Sequence, residues 1–522
     1  MTEAAKRLSA DAGFTNALDA GGGAPAAGPQ PRLDMMIVSG GDERIWPDPI
    51  TRRNRYGTPP APAPDELWFS SSTASAITRR GYDAARAAFD AISQPGADLA
   101  GWFDKIRARI VTQFGEPGVE VVLTASGTEA ELAALVIAKA LLRRPIATIV
   151  VAPEETGSGV AMASTGAHFA ATAAFEPNVE KGAPLAGWEK DDVVMRRLDI
   201  REPSGRPRAA AEIDRAAGLA VADVLRTGRA ALLHLLDCSK TGRGGPSRAA
   251  AREIIASAGE RALVLVDACQ LRCSFEQIKA DLASGFLVMI TGSKFAGGPP
   301  FCGALLIPAE KARRLRDLTL PPGFASYAAR FDWPQSFGCA FEAARFAPAN
   351  LGLGLRWEAA LAEIEAYAKI PARLRDEMGA LFSESVRRGV AANPELDFLD
   401  AENWRLGGKP ATIFPILTHR GDPAQARLIY ESLRSPGGVS GASELARVCH
   451  VGQPVLIGRR AALRLCFGMP QANAVAERAS QGADVDAAFR PLRRDMELLF
   501  RKWGALARRV SAAGGPTLAA SN

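Results

Sequence analysis

Short apolar runs alternate with segments of helical periodicity over much of the chain. Continuous apolar runs bounded by turn residues are typical of strands buried on both faces, whereas apolar residues recurring every three or four positions predict helices. The alternation predicts right-handed βαβ units and a mainly parallel sheet. The predicted strands are 121–124, 147–152, 231–237, 262–268, 286–292 and 303–308, and the predicted helices are 129–142, 246–259 and 274–284.

A different arrangement follows residue 351. Residues 351–383 have the pattern of a long amphipathic helix, and strand-like segments at 411–417 and 461–468 flank a helical segment at Pro423–Leu433. This pattern predicts a smaller α+β domain at the C-terminus. We therefore expect an α/β protein in which a large domain, with a mainly parallel sheet of the seven-stranded type, precedes the smaller domain.

Three regions lack this patterning. Residues 1–34 are rich in Ala, Gly and Pro and predict a disordered extension, as do the small and polar residues 511–522 at the other end. Residues 182–228 are charged, and we interpret them as an insertion. Ordered structure is expected from residue 67, where a short strand leads into a hydroxyl-rich loop. The predicted units are an N-terminal segment at 35–100, a large domain at 101–350, and a small domain with its linking helix at 351–510.

Composition limits the classes of function. Hydrophobic residues make up 47% of the chain and charged residues 23%, close to the averages of soluble globular proteins. No apolar run approaches the roughly 20 residues that cross a bilayer, and the first residues lack the apolar core of a secretory signal. We expect a cytoplasmic protein with a small-molecule substrate and no membrane partner.

Charge and cysteine content exclude further classes. The 63 basic residues are interleaved with 57 acidic residues and form no long Lys/Arg block, so we expect no nucleic-acid partner. The seven cysteines form no CxxC pair, which favours reduced thiols over disulfides. Since there are only four histidines as well, we expect no metal site. The net charge of +6 would favour the approach of anionic ligands.

A polar turn follows the first predicted strand. Ser126, Gly127 and Thr128 lie between that strand and a predicted helix N-terminus. Free backbone N–H groups and the helix dipole favour a phosphate at such a place, Gly127 permits its close approach, and the two hydroxyls add donors. The same pattern is also a common helix cap, so the turn alone does not identify a site.

Two further motifs end predicted strands. Asp267 closes one strand and is followed by Gln270, and the segment 291–294 (Thr-Gly-Ser-Lys) ends another strand before a Gly-Gly-Pro turn. The carboxyl ends of strands are where α/β sheets bind ligands. A phosphate-type turn, a strand-end carboxylate and a strand-end lysine therefore occur in this order along one predicted sheet.

With this order of motifs the chain resembles the class V aminotransferase and cysteine desulfurase superfamily of fold-type I enzymes, which depend on pyridoxal 5′-phosphate (PLP). The resemblance covers roughly residues 67–470 and places PLP in the large domain at 101–350. It implies two catalytic residues, Lys294 carrying PLP as a Schiff base and Asp267 pairing with the pyridine nitrogen. The cofactor-binding residues that it implies are Ser126, Gly127, Thr128, Asp267, Gln270, Thr291, Ser293 and Lys294.

The resemblance also implies substrate-binding residues and a homodimer. Arg464 matches the family arginine that pairs with the substrate α-carboxylate, and a guanidinium suits this role because it offers two parallel N–H groups. Ser239 stands where the family has an asparagine. The segment 153–158 replaces a Glu-His pair whose imidazole stacks on the cofactor ring. At the implied subunit contact, residues 341–350 lack the family's usual Gly-Thr pair.

The expected function is a reaction on an α-amino acid or analogue through an external aldimine, either transamination or a β-elimination of the lyase type. One alternative is a cysteine desulfurase or selenocysteine lyase that uses Cys449. However, Val451 aligns with the family's nucleophilic cysteine, and Cys449 also suits a small residue packed in the core. A second alternative is a PLP-binding regulatory protein without catalysis, for which the N-terminus offers no helix-turn-helix pattern.

Overall fold

The chain alternates helices and strands through most of its described length. The computed structural model describes residues 32–189, 192–337, 346–347, 349–400, 405–406, 409–436 and 443–512. The helices are α1 (Leu33–Ile37), α2 (Arg79–Ile92), α3 (Leu99–Phe114), α4 (Gly127–Leu142), α5 (Val160–Ala163), α6 (Ala210–Arg226), α7 (Arg248–Ala258), α8 (Phe275–Ala283), α9 (Ala309–Arg313), α10 (Leu351–Ala368), α11 (Ala372–Ala391), α12 (Pro423–Leu433), α13 (Met469–Ser480) and α14 (Val485–Ala512). The strands are β1 (Leu67–Phe69), β2 (Glu120–Thr124), β3 (Ile146–Val151), β4 (Val193–Leu198), β5 (Ala230–Leu236), β6 (Ala262–Ala268), β7 (Leu287–Thr291), β8 (Gly303–Ile307), β9 (Leu396–Phe398), β10 (Arg405–Leu406), β11 (Lys409–Pro410), β12 (Ile413–Thr418), β13 (Cys449–Ile457) and β14 (Arg460–Cys466).

A seven-stranded sheet forms the framework of the large domain. Its strand order is β2-β8-β7-β6-β5-β3-β4, and among these described strands only β8 runs antiparallel to its neighbours. The predicted α/β class with a mainly parallel sheet is thereby confirmed. Every strand predicted for this sheet is present, with bounds within one residue of those expected.

Side chains of the strands alternate between two apolar layers. Along β2, Val121 and Leu123 pack on the face that α3, α6, α7, α8 and α10 cover, whereas Val122 faces the layer that contains α4. All residues of β5, β6 and β7 are buried, because helices cover both faces of the sheet. Burial on both faces explains the continuous apolar runs of these strands.

The segment 182–228 belongs to this sheet and is not an insertion. It contributes the edge strand β4, which pairs in parallel with β3 along its full length. It also contributes α6, whose Ile213, Ala217, Val221 and Val224 pack into the apolar core. The insertion prediction was wrong because an edge strand exposes polar side chains and so lacks the continuous apolar run of its neighbours.

A smaller sheet organises the C-terminal part of the chain. Its order is β1-β13-β14-β12-β9, and α11, α12 and α14 contribute to its apolar core. Strand β1 reaches it from the N-terminal segment and pairs in parallel with β13, with Leu67 opposite Cys449. The helix predicted at 351–383 is two helices, α10 and α11, since Pro371 caps the second helix and cannot continue the first.

Helices extend into both ends of the chain that composition assigned to disorder. Helix α1 begins at Leu33 and α14 ends at Ala512, while residues 1–31 and 513–522 lie outside the described residues. Most of 341–350, the segment of the implied subunit contact, also lies outside them. None of the described helices, including the 28-residue α14, is both long and apolar enough to cross a membrane.

Residues 32–66 are ordered, contrary to the expectation that structure begins at residue 67. Arg356 of α10 is fully buried and holds this segment against the large domain, because its guanidinium donates to backbone carbonyls. The acceptors are the carbonyls of Ile37 (2.8 Å), Ser39 (2.5 Å), Gly40 (3.1 Å) and Phe301 (2.5 Å). A buried cation thus joins two segments that are distant in the chain.

We expect Arg356→Met to lower the free energy of unfolding by about 3 kcal/mol, because the buried carbonyls around it lose their donor. Denaturant unfolding measures this change, and limited proteolysis should show faster cleavage within residues 32–66. Arg427→Met is the matched control, since Arg427 is an exposed arginine of α12, and its effect should stay within about 0.5 kcal/mol. Equal stabilities of the two variants would contradict the role of Arg356.

Candidate active site

The carboxyl ends of β3, β5, β6 and β7 open into one cavity of about 160 Å³. Parallel strands place their carboxyl ends at the same edge of a sheet, so the segments that follow them meet there. The wall includes Glu155 after β3, Lys240 after β5, Asp267 near the end of β6 and Lys294 after β7. All the predicted cofactor-binding residues line this cavity, whereas the predicted substrate-binding residues, Ser239 and Arg464, do not.

The turn before α4 presents a helix N-terminus to the cavity. Ser126 caps the helix, since its Oγ accepts a hydrogen bond from the N–H of Glu129 at 3.2 Å. Packing requires glycine at Gly127, because a Cβ there would lie 2.7 Å from Sγ of Cys269. Thr128 is buried beside it. The other N–H groups of the first turn, at the positive end of a 16-residue helix, are suited to binding an anion.

Asp267 and Gln270 bring buried polar groups to the cavity. The Oδ1 of Asp267 accepts a hydrogen bond from the N–H of Cys269 at 3.0 Å. Gln270 donates through Nε2 to the carbonyl of Ser72 at 3.0 Å, while its Oε1 is buried without a partner among the described residues. An unpaired buried acceptor is costly, so this oxygen indicates a donor that a bound molecule supplies.

A hydrogen-bonded turn holds Lys294 at the cavity. The carbonyl of Lys294 accepts from Oγ of Ser75 at 2.7 Å, and the carbonyl of Ser293 accepts from the N–H of Ser75 at 3.0 Å. Thr291 also lines the cavity, but its hydroxyl donates to the carbonyl of Cys269 at 2.7 Å. Because the proton of Thr291 is used within the protein, Ser293 is the better donor of the two for an anion.

Glu155 follows β3 and lines the cavity. It is fully buried, and its Oε2 accepts from the hydroxyls of Ser239, at 2.8 Å, and Thr241. Its Oε1 accepts from Nε of Arg201 at 2.5 Å, and Arg201 in turn donates to Asp400 at 2.9 Å. Both oxygens of Glu155 therefore have donors within the protein, and the network ties the cavity wall to the small domain.

Lys240 lines the cavity, and the sequence motifs did not assign it a role. Its neighbour Ser239 is not in the lining, but its hydroxyl donates to the wall residue Glu155, so the structure gives that serine a supporting position. The backbone N–H of Lys240 donates to the carbonyl of Glu155 at 3.0 Å. The pKa of Lys240 is lowered to about 7, first by burial and then by the positive charges of Arg464 and Lys294.

Arg464 lies one layer behind the cavity wall. Its Nη2 donates to Oγ1 of Thr73 at 2.8 Å and to the carbonyl of Gln453 at 2.6 Å, and both of these residues line the cavity. Its Nε and Nη1 are buried without acceptors in the part of the chain that the structure describes. Burial lowers its pKa to about 10, so Arg464 remains a cation at neutral pH.

Cys449 lies in the core of the small domain and not in the cavity. It is fully buried in β13, and its Sγ donates to the carbonyl of Arg447 at 3.4 Å. Burial raises the pKa of its thiol to about 11. A nucleophilic cysteine needs an accessible thiolate, so this position counts against the desulfurase alternative.

Residues 32–66 add Arg44 and Tyr56 to the cavity wall, and the sequence motifs missed both. The guanidinium of Arg44 donates three hydrogen bonds to Asp42, at 2.8, 3.1 and 2.6 Å, and lies 5.1 Å from the ring centre of Phe301. Tyr56 lines the same wall, and burial raises its pKa. The available signal was the group of arginines and aromatic residues within 44–56, which lacks any strand or helix period.

Glu129, in the first turn of α4, is a buried carboxyl next to this wall. Its Oε2 accepts a hydrogen bond from the N–H of Ala125 at 2.6 Å. Its pKa is raised from 4.5 to about 8, first by burial and then by the negative charge of Asp42, with Arg44 acting in the opposite direction and Asp332 raising it further. Folding therefore favours the protonated form of Glu129.

A raised pKa of a carboxyl makes stability fall as the pH rises. Between 4.5 and about 8 the folded chain binds the Glu129 proton and the unfolded chain does not. We expect Glu129→Gln to remove about 2 kcal/mol of this fall, as measured by denaturant unfolding at both ends of the window. The exposed control Glu497→Gln should keep the native slope. An unchanged slope in Glu129→Gln would show that another group titrates.

Comparisons with known proteins identify no family for this chain. No family model matches it, and no curated protein matches it. Two solved structures, both variants of SPT (serine palmitoyltransferase) with PLP, are similar to it. For the first, the TM-score is 0.45 and the sequence identity 13%, and the match covers 84% of this chain and 87% of the SPT chain. For the second, the TM-score is 0.44 and the identity 13%, and the match covers 82% of this chain and 84% of the SPT chain. The proposals that follow rest on the residues of this chain.

Proposed function

We propose that this chain is a PLP-dependent enzyme that acts on an α-amino acid or a close analogue. The observation that carries the proposal is the convergence of complementary groups on one cavity. These are the anion-binding turn at 126–128, the carboxylate of Asp267, the unpaired amide oxygen of Gln270 and the amine of Lys294. They come from separate strand ends, which is the arrangement expected of a ligand site in an α/β sheet.

The residues fit PLP group by group. The N-terminus of α4 suits the phosphate, Asp267 suits the pyridine nitrogen, and Lys294 suits the aldehyde. The Oε1 of Gln270 lacks a donor among the described residues, and the ring hydroxyl would supply one. The cradle depends on Gly127, because a side chain there would collide with Cys269. When bound, PLP supplies an electron sink for charge that develops on the substrate.

Each of these residues has a defined task in the proposed reaction. Asp267 would hold a proton at the ring nitrogen, and the N–H of Cys269 keeps its carboxylate oriented. Lys294 would hold the aldehyde and, as a free amine, would move a proton at the substrate α-carbon. These tasks serve transamination and β-elimination alike. We therefore propose one of these two reactions.

We expect Lys294→Ala to abolish covalent attachment of PLP. In the native chain, borohydride should fix PLP permanently on Lys294, because it reduces the reversible imine between the lysine and the aldehyde to a stable amine. Mass spectrometry of a proteolytic digest measures the adduct and its position. The matched control is Lys369→Ala, which replaces an exposed lysine and should keep the adduct. An adduct on another lysine, or no adduct at all after incubation with PLP, would contradict the proposal.

The position of Cys449 allows a test of the desulfurase alternative. We expect Cys449→Ala to leave any release of sulfide from L-cysteine unchanged, because the thiol is buried away from the cavity. The same change should lower the free energy of unfolding by about 1 kcal/mol, since it leaves a small void in the core. A sulfide assay and denaturant unfolding measure the two effects. Loss of sulfide release from a variant that stays folded would establish Cys449 as the nucleophile.

A further inference from the structure

Most charges around the cavity have partners. Arg44 pairs with Asp42 at 2.6 Å, and Glu155 pairs with Arg201 at 2.5 Å. The proposed function engages Asp267 with the cofactor. Once Lys294 is also assigned to the cofactor, two cationic groups remain without an ion-pair partner among the described residues: Lys240, which follows β5, and Arg464, on β14.

Lys240 is the first of these charges. It lines the cavity, and no carboxylate of the described residues lies within ion-pair distance of its Nζ. Glu155 is already engaged elsewhere, because its two oxygens accept hydrogen bonds from Arg201, Ser239 and Thr241. Lys240 is half-buried, and its lowered pKa is the behaviour of an amine whose desolvation no ion pair offsets.

Arg464 is the second of these charges. One of its nitrogens holds Thr73 and Gln453 in the cavity wall, and its Nε and Nη1 have no acceptor among the described residues. Behind a wall one residue thick and in a low dielectric, its charge acts strongly on the cavity. A substrate with a single carboxylate would compensate one of the two charges and leave the other without a partner.

We propose that Lys240 binds an anionic side chain of the substrate, so that the substrate is an α-amino acid with a second carboxylate. The inference rests on the proposed function, in which the α-carboxylate occupies the positive region in front of Arg464. A neutral side chain of the same shape would offer the Lys240 amine no counter-charge. A site built to pair a charge discriminates strongly against such an analogue.

The test compares two matched pairs of ligands on the PLP-loaded full chain. We expect aspartate to bind at least about tenfold more tightly than asparagine, or glutamate than glutamine, by isothermal titration calorimetry. Lys240→Met keeps the length of the side chain without its charge and should reduce the preference to within about twofold. Lys240→Arg should restore part of it, and the exposed control Lys369→Met should keep all of it.

Proton uptake gives a second readout that a purely structural role would not move. Arg464 and Lys294 disfavour the charged form of Lys240, whereas Glu155 and Asp267 favour it. An anionic ligand further stabilises the charged form of Lys240, so at a pH above the pKa of about 7 Lys240 should take up a proton when the ligand binds. The binding heat should then depend on the ionisation enthalpy of the buffer in the native chain and not in Lys240→Met.

Three results would overturn the inference. The first is an equal affinity for the acidic and the neutral member of both pairs. The second is a preference for the acidic ligand that survives in Lys240→Met. The third is a loss of PLP affinity in Lys240→Met, which would assign Lys240 to the cofactor phosphate. Failure of the proposed function differs, because no PLP adduct forms on Lys294. In that case succinate and butyrate serve as probes of the cofactor-free chain. A larger thermal shift with succinate that Lys240→Met removes would still support the anion site, and equal shifts would reject it.

Discussion

The parallel pairing of β3, β5, β6 and β7 is the constraint on which the rest of the molecule depends. Since these strands run in the same direction, the segments that follow them reach one edge of the sheet. Glu155, Lys240, Asp267 and Lys294 come together there although they are distant in the chain. Helices on both faces bury the strands and leave this edge as the place where polar side chains converge. The site is thus a consequence of strand direction before it is a consequence of any single residue.

Burying this many charges requires that most of them be paired. Arg356 is satisfied by backbone carbonyls, and Glu155 by a cation and two hydroxyls, so both stabilise the walls without offering anything to a ligand. Gln270 and Arg464 differ, because each keeps a buried polar atom that no described residue satisfies. A bound molecule that supplies those partners would remove a cost that the protein otherwise bears. At the cavity, such unpaired groups are the ones available to a bound molecule.

The sheet and the cofactor side of the cavity could be predicted from sequence because their signals are local. An apolar run identifies a strand, and Asp267 or Lys294 at its end is then placed by the direction of the sheet. Where contacts decide, the sequence carries no such signal. Spacing does not give side-chain direction in a loop, so it does not distinguish Ser239 from its neighbour Lys240, which lines the wall. Arg464 was expected in the cavity, but residues from two other segments lie in front of it. Edge strand β4 and residues 32–66 carry no periodic apolar signal and were missed.

Lys240 and Lys294 show why the substrate side is harder to predict than the cofactor side. Both lysines follow strands that flank β6, so by position alone they are equivalent neighbours of Asp267. Under the proposed function, Asp267 compensates the charge on the cofactor ring and Lys294 is joined to the aldehyde. One carboxylate cannot also compensate a second ammonium, and Glu155 already pairs with Arg201 and accepts from two hydroxyls. The anion for Lys240 therefore has to come from outside the described protein. The proposed role of Lys240 rests on the absence of a carboxylate partner among the described residues around it, and no sequence motif reveals such an absence.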